Sequence, residues 1–395
     1  RKQLEQIRGL AEKYGMPLNL QKRVSELAVG EQQRAEILKA LYRDARLLIL
    51  DEPTSVLTPQ ETREFFGVLR TLRDDGHSII FIAHNLEEIM QISDRVTILR
   101  DGKNTRTLNT GETDEKELSR CMIGRDFTEA SYQRRCLEQP GDALVVQGLS
   151  LDGPDKKCIL SDVSFTVRQG EILGVAGVDG NGQLELAEVL CGIRKQSGGT
   201  ISLAGTAIEK LTIRARSEAG LAYIPSDRHQ DGLIMDADVN YNFHLRDYYR
   251  TPYAKRRLLQ FTKMQAATRQ AVEDFKVKTP TTTTQARLLS GGNQQKMILA
   301  REIATSAKLT IACQPTRGLD IGASEYLRSQ LMELRNAGNS VLLVSTDLGE
   351  ILALSDRIAV IFDGRIMGVL QNDEHLSVEK LGLMMGGREA EEVEA

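Results

Sequence analysis

One stretch of this chain is written twice. Leu27 to Pro53 reads LAVGEQQRAEILKALYRDARLLILDEP, and at a constant offset of 262 residues Leu289 to Pro315 reads LSGGNQQKMILAREIATSAKLTIACQP. Each copy runs from a small-residue loop into a helix, then a short apolar strand, then an acid or its amide ahead of proline. The register continues without a gap: Ser93-Asp94-Arg95 falls on Ser355-Asp356-Arg357, and Asp101-Gly102 on Asp363-Gly364. A supersecondary unit repeated in this way, with helices alternating with apolar strands, confines the chain to α/β architecture in two successive copies.

The totals agree with two soluble domains. A chain of 395 residues is long enough for each copy to bury its own core, and 41% hydrophobic with 27% charged residues is ordinary for globular protein. The net charge of −4 supplies no basic field for a phosphate backbone, so nucleic acid is not an expected partner. Cysteines at 121, 136, 158, 191 and 313 form no CxxC pair and have no histidines at metal-ligand spacing, which fits a reduced, cytosolic chain. Apolar runs such as Leu47 to Leu50 have strand length, so any link to a membrane runs through partners.

The pattern divides the chain into residues 1–127 (first copy), a linker at 128–142, residues 143–388 (second copy) and an acidic tail at 389–395, expected to be disordered. In the first copy, the end of a helical segment (1–23) leads into the small-residue loop. Gly30 then precedes a helix that runs to about Tyr42, followed by a buried strand at Leu47 to Leu50. Thr58-Pro59-Gln60-Glu61 opens the next helix as a capping box. Ser78 to Ala83 and Val96 to Leu99 read as further strands of the same parallel sheet, and the pattern loosens from Lys103 to Gln139. In the second copy, Val163 to Val167, Glu171 to Ala176, Ile201 to Leu203 and Leu221 to Ile224 read as strands around a glycine loop, with a helix-rich stretch from Asp238 to Arg287. That glycine loop begins at Gly177, and 177 minus 262 is −85, so its first-copy counterpart would precede Arg1. The chain is therefore expected to be an N-terminally truncated fragment.

LSGGNQQK, LLILDEPT and IAHNLEEI, in order and at their spacing, resemble the signature loop, Walker B strand and switch histidine of the ABC transporter nucleotide-binding domain. The two-copy form is similar to the ATPase subunit of bacterial sugar or nucleoside importers, nucleoside first. The resemblance covers nearly all of the chain from Val24 onward. It implies two P-loop NTPase domains of RecA-like, parallel-sheet type in tandem, each with a helical subdomain, the first incomplete. It also implies ATP and Mg²⁺ as cofactors, integral-membrane permease subunits as partners with a substrate-binding protein engaged indirectly, and a peripheral place on the cytoplasmic face of the membrane.

Phosphoryl transfer asks a protein to hold a metal, aim a water and neutralise developing charge. By resemblance Asp51 would hold Mg²⁺ through its water shell, Glu52 would polarise the attacking water, and His84 would touch the γ-phosphate; the plainer alternative is that they cap a strand end and a helix entry. Thr58 stands where the family carries an aspartate. In the second copy, Gly177, Gly180 and Gly182 form a loop whose N–H groups could cradle an anion, although Gln183 replaces the usual lysine and Leu184 the usual Ser/Thr; a glycine turn without a ligand is the alternative. Cys313, Gln314 and Thr346 stand in the places of Asp51, Glu52 and His84. No glutamine holds the Q-loop place within Tyr223 to Arg228, and Leu149 to Cys158 offers no aromatic ring for adenine. This site is expected not to turn over.

The signature loops are unequal in the opposite sense. Ser290, Gly291, Gly292, Asn293 and Gln294 keep the phosphate-gripping pattern in the second copy, whereas Ala28 and Val29 replace Ser and Gly in the first. In this family ATP is sandwiched between the Walker motifs of one copy and the signature of the other. Paired that way, Asp51, Glu52 and His84 meet the good signature, and the altered residues meet the poor one. Losses clustered in one site point to one hydrolytic and one degenerate composite site. Two further readings belong beside this one: a soluble twin-domain ABC ATPase acting on the ribosome or nucleic acid, and, for the fragment alone, an inactive scaffold lacking the first phosphate loop.

Overall fold

In the computed structural model the duplicated stretch takes the same local form twice, once in each of two compact units, Arg1–Glu129 and Ala130–Ala395. The structure describes residues 2–24, 27, 29–54, 59–83, 86–100, 103–115, 117–118, 121, 141–153, 158–178, 180–304 and 307–388. Ala28, Thr58, His84, most of the linker and the acidic tail lie outside the described residues.

The first unit contains α1 (Lys2–Lys13), α2 (Val29–Leu41), β1 (Leu47–Asp51), α3 (Pro59–Asp74), β2 (Ser78–Ile82), α4 (Leu86–Ile92), β3 (Arg95–Arg100) and β4 (Lys103–Asn109). β1 and β2 pair in parallel, Leu47 opposite Ser78 through Asp51 opposite Ile82. Successive side chains of a strand point to opposite faces. One face, through Leu48 and its partly buried neighbours Ile79 and Phe81, shares a core with α1, α2 and α3 by way of Ala11, Ile37, Leu41, Phe66 and Leu69. The other face corrects the expectation of a buried strand, because Leu47, Ile49, Ile80 and Ile82 are 52%, 62%, 48% and 46% exposed. Burial depends on neighbours as well as composition, and among the described residues of this unit no element covers that face.

Two further expectations are corrected here. β3 is not a strand of the parallel sheet; among the described residues it pairs only with β4, in an antiparallel hairpin. The loosened pattern after Lys103 also hides a strand, since β4 reads KNTRTLN, exposed on both faces and without apolar alternation.

The second unit shows what holds such strands together. β5 (Asp142–Asp152), β6 (Cys158–Arg168), β7 (Ile172–Ala176), α5 (Gln183–Cys191), β8 (Gly198–Leu203), β9 (Thr206–Ala207), α6 (Ile213–Glu218) and β10 (Leu221–Ile224) come first. Then follow α7 (Val239–Phe243), the hairpin of β11 (Ala254–Lys255) and β12 (Leu258–Leu259), α8 (Phe261–Asp274), α9 (Gly291–Ile303), β13 (Leu309–Cys313), α10 (Ile321–Asn336), β14 (Ser340–Ser345), α11 (Leu348–Leu354), β15 (Arg357–Phe362), β16 (Arg365–Gln371) and α12 (Val378–Met385). The main sheet has the order β10-β13-β14-β7-β15-β16. It is parallel except for β16. β5, β6, β8 and β9 form a separate antiparallel sheet.

Alternation sorts the main sheet into two cores. Leu309, Ile311, Leu342 and Val344 face α5 and the antiparallel sheet, in one cluster with Val146, Leu186 and Leu190. Ala312, Val341 and Leu343 face the opposite side with Ile298, Leu327 and Ile351 of α9, α10 and α11. Those first four are the counterparts, at the repeat's offset, of the exposed Leu47, Ile49, Ile80 and Ile82, and all four are fully buried. The strand that joins β14 to β15 is β7, for which the offset gives no counterpart position in this chain. The first-copy hairpin accordingly has no bridging strand among the described residues.

Candidate nucleotide site

At the end of β1 the chain turns sharply. Asp51 closes the strand, and Glu52 adopts a left-handed backbone with φ +44, its N–H donating to Ile82 O at 2.8 Å. Gln314, at the end of β13, has φ +46 and donates to Val344 O at 2.7 Å. A non-glycine residue at positive φ is strained, and such strain persists where the surroundings over-determine it. The fold therefore builds the same strained platform twice and fills it with a carboxylate once and an amide once. Asp51 and Glu52 are both exposed at this edge, and the Asp51 carboxylate is a hard oxygen donor of the kind a hydrated divalent cation takes. That donor set fits Mg²⁺.

The second-copy platform does not. The Cys313 thiol is fully buried, and burial pushes its pKa well up, so it stays protonated and offers nothing to a hard ion. Gln314 Oε1 accepts from both the N–H and the hydroxyl of Thr346, each at 3.3 Å. The structure thus brings Gln314 and Thr346 together, as their motif positions imply. Thr346 thus occupies the Gln314 amide oxygen.

The glycine loop is also closed on itself. Gly180 (φ +90) and Gly182 (φ +97) supply the left-handed turns that lead into α5. Val178 O accepts three times: from Asn181 N at 3.3 Å, Asn181 Nδ2 at 3.1 Å and Gln183 Nε2 at 2.8 Å. Gln183 is only 5% exposed, and its amide lies where a side chain on Gly177 would stand, 2.5 Å from the position of a Cβ there. Leu184 packs against the first core. The residue in the lysine's place therefore props the loop from within.

Ser290 caps α9 with extended backbone (φ −64, ψ 155) and makes no side-chain capping bond. Its Oγ instead accepts from Asn293 Nδ2 at 2.8 Å, while Asn293 Oδ1 accepts from Lys278 N at 2.8 Å. That leaves the exposed Ser290 hydroxyl proton free to be donated, beside the unpaired first-turn N–H groups and the positive end of the helix dipole. Gly292 has no room for a side chain, because a Cβ would lie 2.9 Å from that of Ala323. Ser290, Gly291, Gly292 and Asn293 together suit a phosphate. Gln294 is buried, donates to Ala286 O at 3.0 Å and lies 3.1 Å from His229 Nε2. In the first copy, Val29 opens α2 directly.

Sequence reasoning missed one pair that occurs in both units. Thr54 Oγ1 donates to Glu88 Oε2 at 2.5 Å, and its counterpart Thr316 Oγ1 donates to Glu350 Oε1 at 2.8 Å. Each bond pins the loop after the strand-end acid or amide to the first turn of the helix after the switch position. The signal was present in the chain, since both residues are identical at the repeat's offset.

A sandwiched parallel sheet, a glycine loop leading into a helix, and a serine-glycine helix cap together define an ABC-type ATPase. The family model described as ABC transporter matches residues 2–55 and 160–317, and the chain belongs to that family. It is 44% identical over 384 residues to the guanosine import ATP-binding protein NupO of Bacillus subtilis (strain 168), covering 97% of this chain and 75% of that protein. It is 42% identical to the glucose import ATP-binding protein TsgD13 of Haloferax volcanii, covering 96% of this chain and 69% of that one. Among solved structures, a nucleotide-free ATP-binding cassette from an ABC transporter matches with a TM-score of 0.52 at 20% identity, over 59% of this chain and 92% of that chain. This last likeness concerns the fold.

Proposed function

We propose that the chain is the ATP-binding and ATP-hydrolysing part of an importer of nucleosides or simple sugars, with one competent and one degenerate composite site. The competent set is Asp51, Glu52 and His84 of the first copy (1–127) with Ser290, Gly291, Gly292 and Asn293 of the second (143–388), which the family's pairing of Walker motifs with a signature would assign to one nucleotide. Asp51 would hold Mg²⁺ through its water shell, and the ion would supply positive charge against the phosphates. Glu52 orients the attacking water and draws its proton, while the Ser290 hydroxyl and the α9 N–H groups take the charge that develops on the γ-phosphate. The degenerate set is Gln183, Leu184, Cys313, Gln314 and Thr346, which the same pairing would assign to Ala28 and Val29.

The observation that carries this reading is the duplicated strand-end platform, occupied by Glu52 in one copy and by a Gln314 satisfied by Thr346 in the other. Among the described residues no helix is long and apolar enough to cross a membrane. The importer reading itself implies permease subunits as partners at the cytoplasmic face, fed by a substrate-binding protein. Nucleosides rank first because the guanosine import relative has the higher identity of the two compared. Uptake of labelled nucleosides and sugars by cells deleted for the full gene tests this. Loss of one class supports the proposal, and unchanged uptake of both rejects it.

A further inference from the structure

Arg228 begins a short π-helical turn, Arg228–Gly232, shortly after β10. The turn is fixed by Asp227, whose Oδ1 accepts from His229 N at 2.8 Å and Gln230 N at 3.0 Å. These bonds, that from Gln230 foremost, hold the Asp227 carboxyl below its ordinary pKa. From this base the Arg228 guanidinium reaches two glycine turns at once. Nη1 donates to Arg317 O at 3.2 Å, and both terminal nitrogens lie 4.0 Å from where a Cβ on Gly318 (φ +65) would be. On the other side, a Cβ on Gly291 would stand 3.0 Å from Nη2 and 3.3 Å from Cζ. Arg228 Nε is buried and has no hydrogen-bond partner.

We propose that Arg228 is a positioning residue for the phosphate-gripping loop. Its planar fork joins the turn after β10 and the Arg317-Gly318 turn to Gly291, and so holds Ser290 and the α9 N–H groups in place. The inference rests on the reading of Ser290 to Asn293 as a nucleotide clamp. Gly291 has no positive φ, and the three atoms nearest its would-be Cβ, all those within 3.7 Å, belong to Arg228. Closeness to the guanidinium, and not backbone conformation, is therefore what a side chain at Gly291 would meet. The poor signature carries Val29 at the counterpart of Gly291, so it has lost the seat for such an arginine along with its serine. A lysine would bring charge without the flat two-sided contact.

The test uses Arg228→Ala, Arg228→Lys, Gly291→Ala, the Arg228→Ala/Gly291→Ala double variant and Ser290→Ala in the natural full-length protein. ATP turnover and nucleotide-free melting are both read. Arg228→Ala and Arg228→Lys are each expected to lower kcat/KM about tenfold, the size of a coupling between contacting groups. Gly291→Ala is expected to lower both the melting temperature and turnover when Arg228 is present, and to add less than about twofold in turnover once Arg228 is alanine. Wild-type turnover in Arg228→Ala, full rescue by lysine, or a Gly291→Ala effect of equal size in both backgrounds would overturn the inference while an impaired Ser290→Ala left the clamp standing. An inert Ser290→Ala would overturn the clamp and this inference together.

Discussion

Glu52→Gln is the perturbation whose structural consequence the protein already displays. Gln314 shows a glutamine on the same platform, with φ +46 against +44 and an N–H bond of 2.7 Å against 2.8 Å to the neighbouring strand. The substitution is therefore expected to leave backbone and fold unchanged, so the loss it causes is chemical. An amide can orient a water but accepts a proton poorly. A positioned general base is worth about 10²- to 10⁴-fold in rate, or about 2.7–5.4 kcal/mol of barrier. Steady-state ATP turnover by the natural full-length protein should fall by that factor, while ATP binding and the melting temperature stay near wild type. More than a tenth of wild-type turnover, or lost ATP binding, would refute the assignment.

Gln314→Ala should leave turnover within about twofold of wild type and lower stability by about 1 kcal/mol, the net worth of a hydrogen bond such as those from Thr346. Thr54→Val removes the hydroxyl that donates to Glu88 and should lower kcat with little change in KM for ATP, while Thr54→Ser restores it; an unchanged kcat would make the pair merely structural. Glu350 has its pKa raised, chiefly by burial, against the opposing bonds from Ser345 and Thr316. Its protonated form is therefore favoured by the fold, and that stabilisation is full below the ordinary value of 4.5 and is lost as pH rises through the raised one. Urea melts should show wild type gaining on Glu350→Gln as pH falls toward 4.5, and a pH-independent difference would contradict this.

What the sequence revealed, it revealed through repetition. β1 and β13, the signature helices and the strand-end acid or amide stand out because two copies share a register and differ only where chemistry differs. β4 was hidden because KNTRTLN is exposed on both faces and so carries no apolar period. The exposure of Leu47 and Ile49 was hidden for the opposite reason: a strand's own residues do not say whether a neighbour covers them. The inward fold of Gln183 onto Val178 O is a rotamer choice made by the loop, invisible to a motif that records only the missing lysine. Thr54 and Glu88 were legible as identities across the copies but matched no motif acid or base. Arg228 had no such comparison, because no position of this chain stands at its offset.

The division of labour between the two sites is tested most directly by counting nucleotide trapped with orthovanadate in the natural full-length protein. A single ADP per chain is expected, lost in both Glu52→Gln and Ser290→Ala and retained in Gln314→Ala. Two trapped ADP per chain, or equal loss when Gln314 is changed, would contradict it.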